Sequence, residues 1–157
     1  MSFIAGKYAI TLGASTVGQT GNDTVRVSHQ VFKEIITGDN FAETPQDAVF
    51  RGMSAFLQYT MLEYNATAAA SAFWPYGSSY PDMDTVIGTL DSANAAQTVM
   101  TALSGTPAAA TPATLTFPLT ILAPNFPVEI LFAPMLRRVP IRQQIYPNGS
   151  GVFGTVT

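Results

Sequence analysis

The chain has no cysteine. That excludes disulfides, thiolate metal sites and cysteine nucleophiles, and leaves the redox compartment open. Histidine is almost as scarce, with His29 alone. It lies inside an alternating run, and no GxSxG nucleophile elbow accompanies it, so nothing assembles a general-base catalyst around it. Charge is the most telling shortage. Asp, Glu, Lys and Arg make up 11% of the 157 residues, against about 25% in an ordinary soluble domain, while 47% are hydrophobic. A domain normally relies on surface charge for solubility. Its lack suggests a surface covered by other protein; the competing reading is the neutral, Ser/Thr/Asn-rich surface of some β-sandwich domains. The net charge of −3 argues against a nucleic-acid binder, which needs a basic face. No run is long and apolar enough for a membrane. Residues 113–134 are the most apolar, yet they hold four prolines and a glutamate, which no single transmembrane helix accommodates. The opening MSFIAGKYAI has no basic stretch followed by a sustained apolar one, so no signal peptide is expected. The length suggests one domain, residues 1–157.

Two local patterns imitate known sites. Residues 13–20, GASTVGQT, match the phosphate loop GxxxxGK[ST] except that Gln19 replaces the lysine. The lysine supplies charge to the phosphates, and the loop must open a helix whose amides hold the anion. Here Gly-Asn-Asp follows, then a β-branched run, so the stretch reads as a bend between strand segments. Asp82, Asp84 and Asp91 suggest calcium, but Ile87 and Ala93 occupy the sixth and twelfth places, where an EF-hand loop needs glycine and glutamate. A solvated acidic turn is expected. No metal, cofactor or catalytic residue is assigned, and the chain is not expected to be an enzyme.

The organisation is mainly β. Residues 7–12 read as a strand, and 17–20 as its continuation past a kink. Residues 24–37 (TVRVSHQVFKEIIT) begin with Val25, Val27 and Val31 alternating against Arg26, Ser28 and Gln30, which predicts a long strand. A polar loop follows over 38–47. In 48–64, the aromatics at 50, 56, 59 and 64 with Gly52 and Ser54 inside fit a long bent strand better than a helix. NATAAASAF, 65–73, is the one helical stretch, with Asn65 as its cap and Trp74-Pro75 as its stop. Residues 78–113 are turn-rich, with a weak strand at 85–90 and a short apolar stretch at 98–103. Strands are predicted at 115–122, 128–133, 139–146 and 152–156. Asn148-Gly149 between the last two signals a hairpin, and the four strands together a meander. The fold class expected is mainly β (α+β), two packed antiparallel sheets or a sandwich-like barrel, with one short α-helix near 65–74. A sheet with few charges to guard its edges invites association.

In the order of these elements the chain resembles the major tail tube proteins of long-tailed, siphovirus-like bacteriophages. The features are an N-terminal strand pair, the polar loop at 38–47, the long strand at 48–64, the helix at 65–73, and a C-terminal meander ending in LRRVPIRQQIYPNGSGVFGT. The resemblance spans most of the chain and is architectural. It implies a virion structural protein of the phage tail, assembled in the bacterial host cytoplasm. Its partners are itself, as hexameric rings stacked into a tube, and other tail proteins at the tube ends. DNA passes down a commonly acidic lumen without specific binding, and no membrane or cofactor is involved. By position, the loop contacting the next ring is Thr37–Asp47, with Phe41 as apolar anchor and Asp39, Asn40, Glu43 and Asp47 as polar partners. The basic cluster Arg137, Arg138 and Arg142 is read either as an exposed turn and strand face or as a subunit interface. Two other readings stand beside this one. One is a different virion protein, such as a capsid decoration, tail terminator or head–tail joining protein. The other is a β-sandwich carbohydrate-binding module, with Trp74, Tyr76 and Tyr80 as stacking residues.

Overall fold

A computed structural model describes residues 7–21, 24–39, 42–63, 65–75, 87–103, 114–129 and 138–157. Among them lie eight strands, β1 (Tyr8–Leu12), β2 (Ser15–Thr16), β3 (Arg26–Thr37), β4 (Pro45–Met61), β5 (Ala96–Ala102), β6 (Thr114–Leu122), β7 (Val139–Tyr146) and β8 (Thr155–Val156), and one helix, α1 (Ala66–Ala72). The fold is mainly β, as the alternation patterns require. All pairings are antiparallel, in the order β2-β1-β5-β6-β7-β4-β3, with β8 beside β6.

The sequence admitted either two sheets or a barrel, and the hydrogen bonds run through one continuous sheet that turns back on itself. Residues 17–21 make the closure. The Val17 amide donates to the Ile10 carbonyl of β1 at 2.9 Å. Further along the same segment, the Leu62 amide donates to Gln19 at 3.0 Å and the Gly21 amide to Thr60 at 2.9 Å, at the end of β4. The β1 side of the sheet is thereby tied to the inner end of β4, beyond the point where β3 pairs with it, and closure removes sheet edges at this level. Ile10, Leu12, Leu57, Tyr59, Ile141 and Ile145, from strands on both sides of the closure, share one buried cluster.

Helix α1 covers this core with Ala68, Ala69 and Ala72, all fully buried. Small side chains let the helix approach closely. Its seven residues are too few to be stable alone. The Asn65 carboxamide caps it, accepting from the amides of Thr67 (3.0 Å) and Ala68 (3.2 Å), a contribution of about 1 kcal/mol.

The C-terminal meander is only partly formed. Val128 and Glu129 are not in a strand, and 130–133 lie outside the described residues. The Asn148-Gly149 turn exists, with the Asn148 side chain accepting from the amides of Ser150 and Val152. It does not make a hairpin. Both edges of β7 are taken, by β4 and β6. After the turn the chain resumes the line of β7 along β6, pairing Thr155 with Thr116 and Val156 with Leu115. The weak strand at 85–90 is absent from its described part, where a turn at Ile87-Gly88 and an irregular stretch stand instead.

The core is not wholly apolar. Thr120 spends its hydroxyl hydrogen on the Ala96 carbonyl at 3.0 Å, so Thr98 is the donor in the 2.6 Å contact between the two hydroxyls. Gln143 is fully buried. Its Oε1 accepts a long bond from the Tyr59 hydroxyl at 3.5 Å, and its Nε2 finds no partner among the described residues. Such a half-satisfied pair contributes less than an apolar replacement would, so the double variant Tyr59→Phe/Gln143→Leu is expected to equal or exceed the parent in urea unfolding. Burial also pushes the Tyr59 phenol well above its ordinary value of 10.0. Above that value the unfolded chain loses the phenolic proton while the folded chain keeps it. Stability therefore falls as pH rises, by about 1.4 kcal/mol per pH unit for this residue. Unfolding measured between about pH 9 and 11 should show Tyr59→Phe with a shallower alkaline limb than the parent.

Candidate assembly surface

Strand β4 is bound on both sides over only part of its length. Its pairing with β7 runs from Met61↔Val139 to Ala55↔Ile145 and stops there. Its pairing with β3 continues to Thr37↔Pro45. Among the described residues, 45–54 therefore have β3 as their one strand neighbour. The outer hairpin stands away from the barrel as a two-stranded ribbon. The burial pattern marks the change: Ala55, Leu57, Tyr59 and Met61 alternate as buried, whereas every residue from Pro45 to Arg51 and all of β3 are exposed. Pro45 is tolerated because it is the first residue of the strand.

Gly52 sits where the ribbon leaves the barrel. It has a φ of +133°, and the register shifts beside it, so that Arg51 is left without a partner between Phe32↔Gly52 and Lys33↔Phe50. This is a β-bulge, which bends the strand and increases its twist. Beyond it, cross-strand partners share a face. Val31, Ile35 and Phe50 fall on one face of the ribbon, and Phe32, Ile36 and Val49 on the other. Ile35 is 61% exposed and Phe50 58%, values unlike those of a core. The one ion pair resolved on the ribbon, Arg51 Nε to Glu34 Oε2 at 3.4 Å, is itself largely exposed and contributes under about 1 kcal/mol. A hairpin without a third strand or an apolar cover is marginal in water.

Of the sequence-derived contact residues, Asp39, Glu43 and Asp47 fall on this ribbon and Arg142 on the barrel. Asp39 and Glu43 are exposed at its far end, where Gln46 Nε2 reaches the Gly38 carbonyl at 3.5 Å. Asp47 lies inside β4, opposite Ile36, because the strand begins earlier than the loop 38–47 predicted. Its Oδ1 accepts from the Ala48 amide at 2.7 Å. Asn40 and Phe41 lie outside the described residues, as does Arg137. Arg138 is exposed just ahead of β7.

Arg142 differs from the exposed strand-face residue that was one of its two readings. It is half-buried, with its guanidinium 4.0 Å from the centre of the Phe56 ring, a cation–π contact. Its Nε is buried without an acceptor among the described residues. Its neighbour across the strands is not Arg138 but Arg26. Gln58 pairs with Arg26 on one side and with Arg142 on the other, so the three form a row across β3, β4 and β7 on the barrel, six residues inside the point where the ribbon leaves. Sequence reading missed Arg26 because only the register reveals this row.

The remaining motifs resolve locally. Gly18 has a φ of +84°, and a Cβ placed there would lie 2.6 Å from Glu63 Oε2. That carboxylate already accepts from the Gln19 amide at 3.2 Å, so a negative charge occupies the amide a phosphate would need. His29 is exposed on β3. Asp91 accepts from the Tyr146 hydroxyl at 3.0 Å; Asp82 and Asp84 lie outside the described residues. Trp74 is half-buried beside α1, and its proposed companions Tyr76 and Tyr80 also lie outside the described residues. Among the described residues, no helix is long and apolar enough to cross a membrane.

No protein-family model matches the chain, and no curated protein matches it in a sequence search. Inference about function therefore rests on the geometry above. The bend at Gly18 yields a direct test. Gly18→Ala forces an alanine into the left-handed region and against Glu63, and is expected to cost about 1–3 kcal/mol, read as a lower urea midpoint with an unchanged m value.

Proposed function

We propose that the chain is a self-assembling virion structural protein, a phage tail tube subunit whose hexameric rings stack around a DNA-conducting lumen. The observation that carries this reading is the β3–β4 ribbon, apolar on both faces and exposed in the single chain. A subunit that remained monomeric would keep these residues in water at a cost of about 25 cal/mol for each Å² of apolar surface. Association removes that cost and gives the ribbon the third layer it lacks. The edge of β3 points the same way. β3 has no outer strand partner among the described residues, and its twelve residues carry Arg26, Lys33 and Glu34 as their charged residues, too few to discourage pairing. A contact between the ribbon of one copy and a different surface of the next is heterologous, and heterologous contacts generate rings and stacks. The shortage of charge in the whole chain supports a subunit largely covered by its neighbours. DNA passes through such a tube without sequence recognition, and other tail proteins complete its ends.

Negative-stain electron microscopy of the recombinant chain over a concentration series should show rings or hollow tubes of uniform diameter, with six-fold end views. Ile35→Asp combined with Phe50→Asp removes the exposed apolar surface far from the core. It is expected to abolish rings and tubes while changing unfolding free energy by under about 1 kcal/mol. Deleting residues 39–45 should likewise leave folded subunits that form no tubes; tubes of normal length from that variant would contradict the assigned role of the ribbon end.

A further inference from the structure

Beside the Arg26–Gln58–Arg142 row lies an open cavity of about 290 Å³, lined by these residues together with Thr24, Thr60 and Phe126. Its polar chemistry is lopsided. Two guanidinium groups and a carboxamide border it, and among the described residues its lining contains no Asp or Glu. Guanidinium groups hold carboxylates through paired N–H donors in a fixed fork. Thr24 is already committed, donating its hydroxyl to the Gly21 carbonyl and accepting from the Thr60 amide. Phe56 holds Arg142 from one side, which limits its rotamers and prepares it for a ligand. The buried Nε of Arg142 has no acceptor among the described residues, and a buried donor in a native protein ordinarily has one.

We infer that Arg26, Gln58 and Arg142 form a receptor for a carboxylate, filled in the assembly by an acidic side chain from the ribbon end of a second copy. The cavity and its donors carry the first half of this statement. The second half rests on the proposed self-assembly and on charge complementarity. The described ribbon end bears Asp39, Glu43 and Asp47, with no Lys or Arg between Gly38 and Phe50. The barrel, at the Gln58 level of β4, bears the two arginines. An acidic ribbon end meeting the basic barrel row of another copy is a head-to-tail contact, which repeats without being self-complementary. It also fixes orientation and disfavours end-to-end pairing of like charges.

Two measurements on the full chain separate the halves. The first titrates sodium acetate against ¹⁵N-labelled protein at constant ionic strength, balanced with chloride, and follows the arginine Nε–H signals. Those of Arg26 and Arg142 should shift saturably, and that of Arg51 should not. Arg26→Gln should weaken the Arg142 response. The titration is made in the Ile35→Asp/Phe50→Asp background, where no second copy can fill the site, and absence of a saturable shift there overturns the receptor. The second measures association by sedimentation velocity for Arg142→Gln, Arg26→Gln and Asp39→Asn/Glu43→Gln/Asp47→Asn, and for their combinations. Each is expected to weaken association by roughly tenfold, and basic and acidic variants combined should lose little more than either alone, since they break the same contact. Additive losses, or no loss, overturn the second copy as the occupant. Acetate binding by a chain that never associates would leave the receptor standing and overturn both the occupant and the self-assembly. Arg26 is exposed, so Arg26→Gln keeps the test valid should Arg142→Gln fail to fold.

Discussion

The structure depends on a single strand that is longer than the body it belongs to. β4 has seventeen residues, about 55 Å at the usual rise. Its last seven residues, Ala55–Met61, hold β7 on one side. On the other side they meet β3 first and then the segment 19–21 that closes the barrel. Those contacts fix its inner half within the core. Backbone continuity then obliges the outer half to project, and β3 projects with it. The bulge at Gly52 sets the direction in which it leaves.

Inside the barrel, stability comes from the alternation of Leu57, Tyr59 and Met61 against Ile141 and Ile145, and from the alanine face of α1 that covers it. The interior nevertheless holds Thr98, Thr120 and Gln143, all fully buried. Thr98 donates to Thr120, and Thr120 donates to the Ala96 carbonyl. Gln143 does not satisfy its own amide, and the Tyr59 bond to it is long. A polar residue kept at such a place restricts how β4 and β7 can slide, since a slip of one residue would expose Gln143 and bury Gln144 or Arg142 in its stead. Register in turn decides which residues meet across β3, β4 and β7, so the position of Arg142 beside Phe56 and Gln58 is a consequence of core pairing.

Most strands were legible from composition because period-two alternation survives wherever one face is buried. β7 was readable to the residue, and the helix was readable from Asn65 and its alanines. Three features were not. The line of β8 was hidden because Asn-Gly marks a turn, while what the turn leads to depends on which edges are still free. The projection of the ribbon was hidden because TVRVSHQVFKEIIT has the pattern of a half-buried strand; exposure there is decided by where β7 ends. The Arg26–Arg142 row was hidden because the two residues are brought together only through Gln58. The acidic loop and Arg142 could each be named from sequence, but not that one lies at the far end of the ribbon and the other on the barrel.

The most direct test of the central claim, that the ribbon is built to be covered by another copy, is amide hydrogen exchange as a function of protein concentration. The account predicts that amides of Arg26–Thr37 which face away from β4 exchange freely in dilute solution and become protected as concentration rises, together with those of residues 45–51, while the core amides of Leu57 and Ile141 stay protected throughout. Exchange along β3 that is the same at every concentration, in samples shown to contain assemblies, would contradict it and place the contact elsewhere on the barrel.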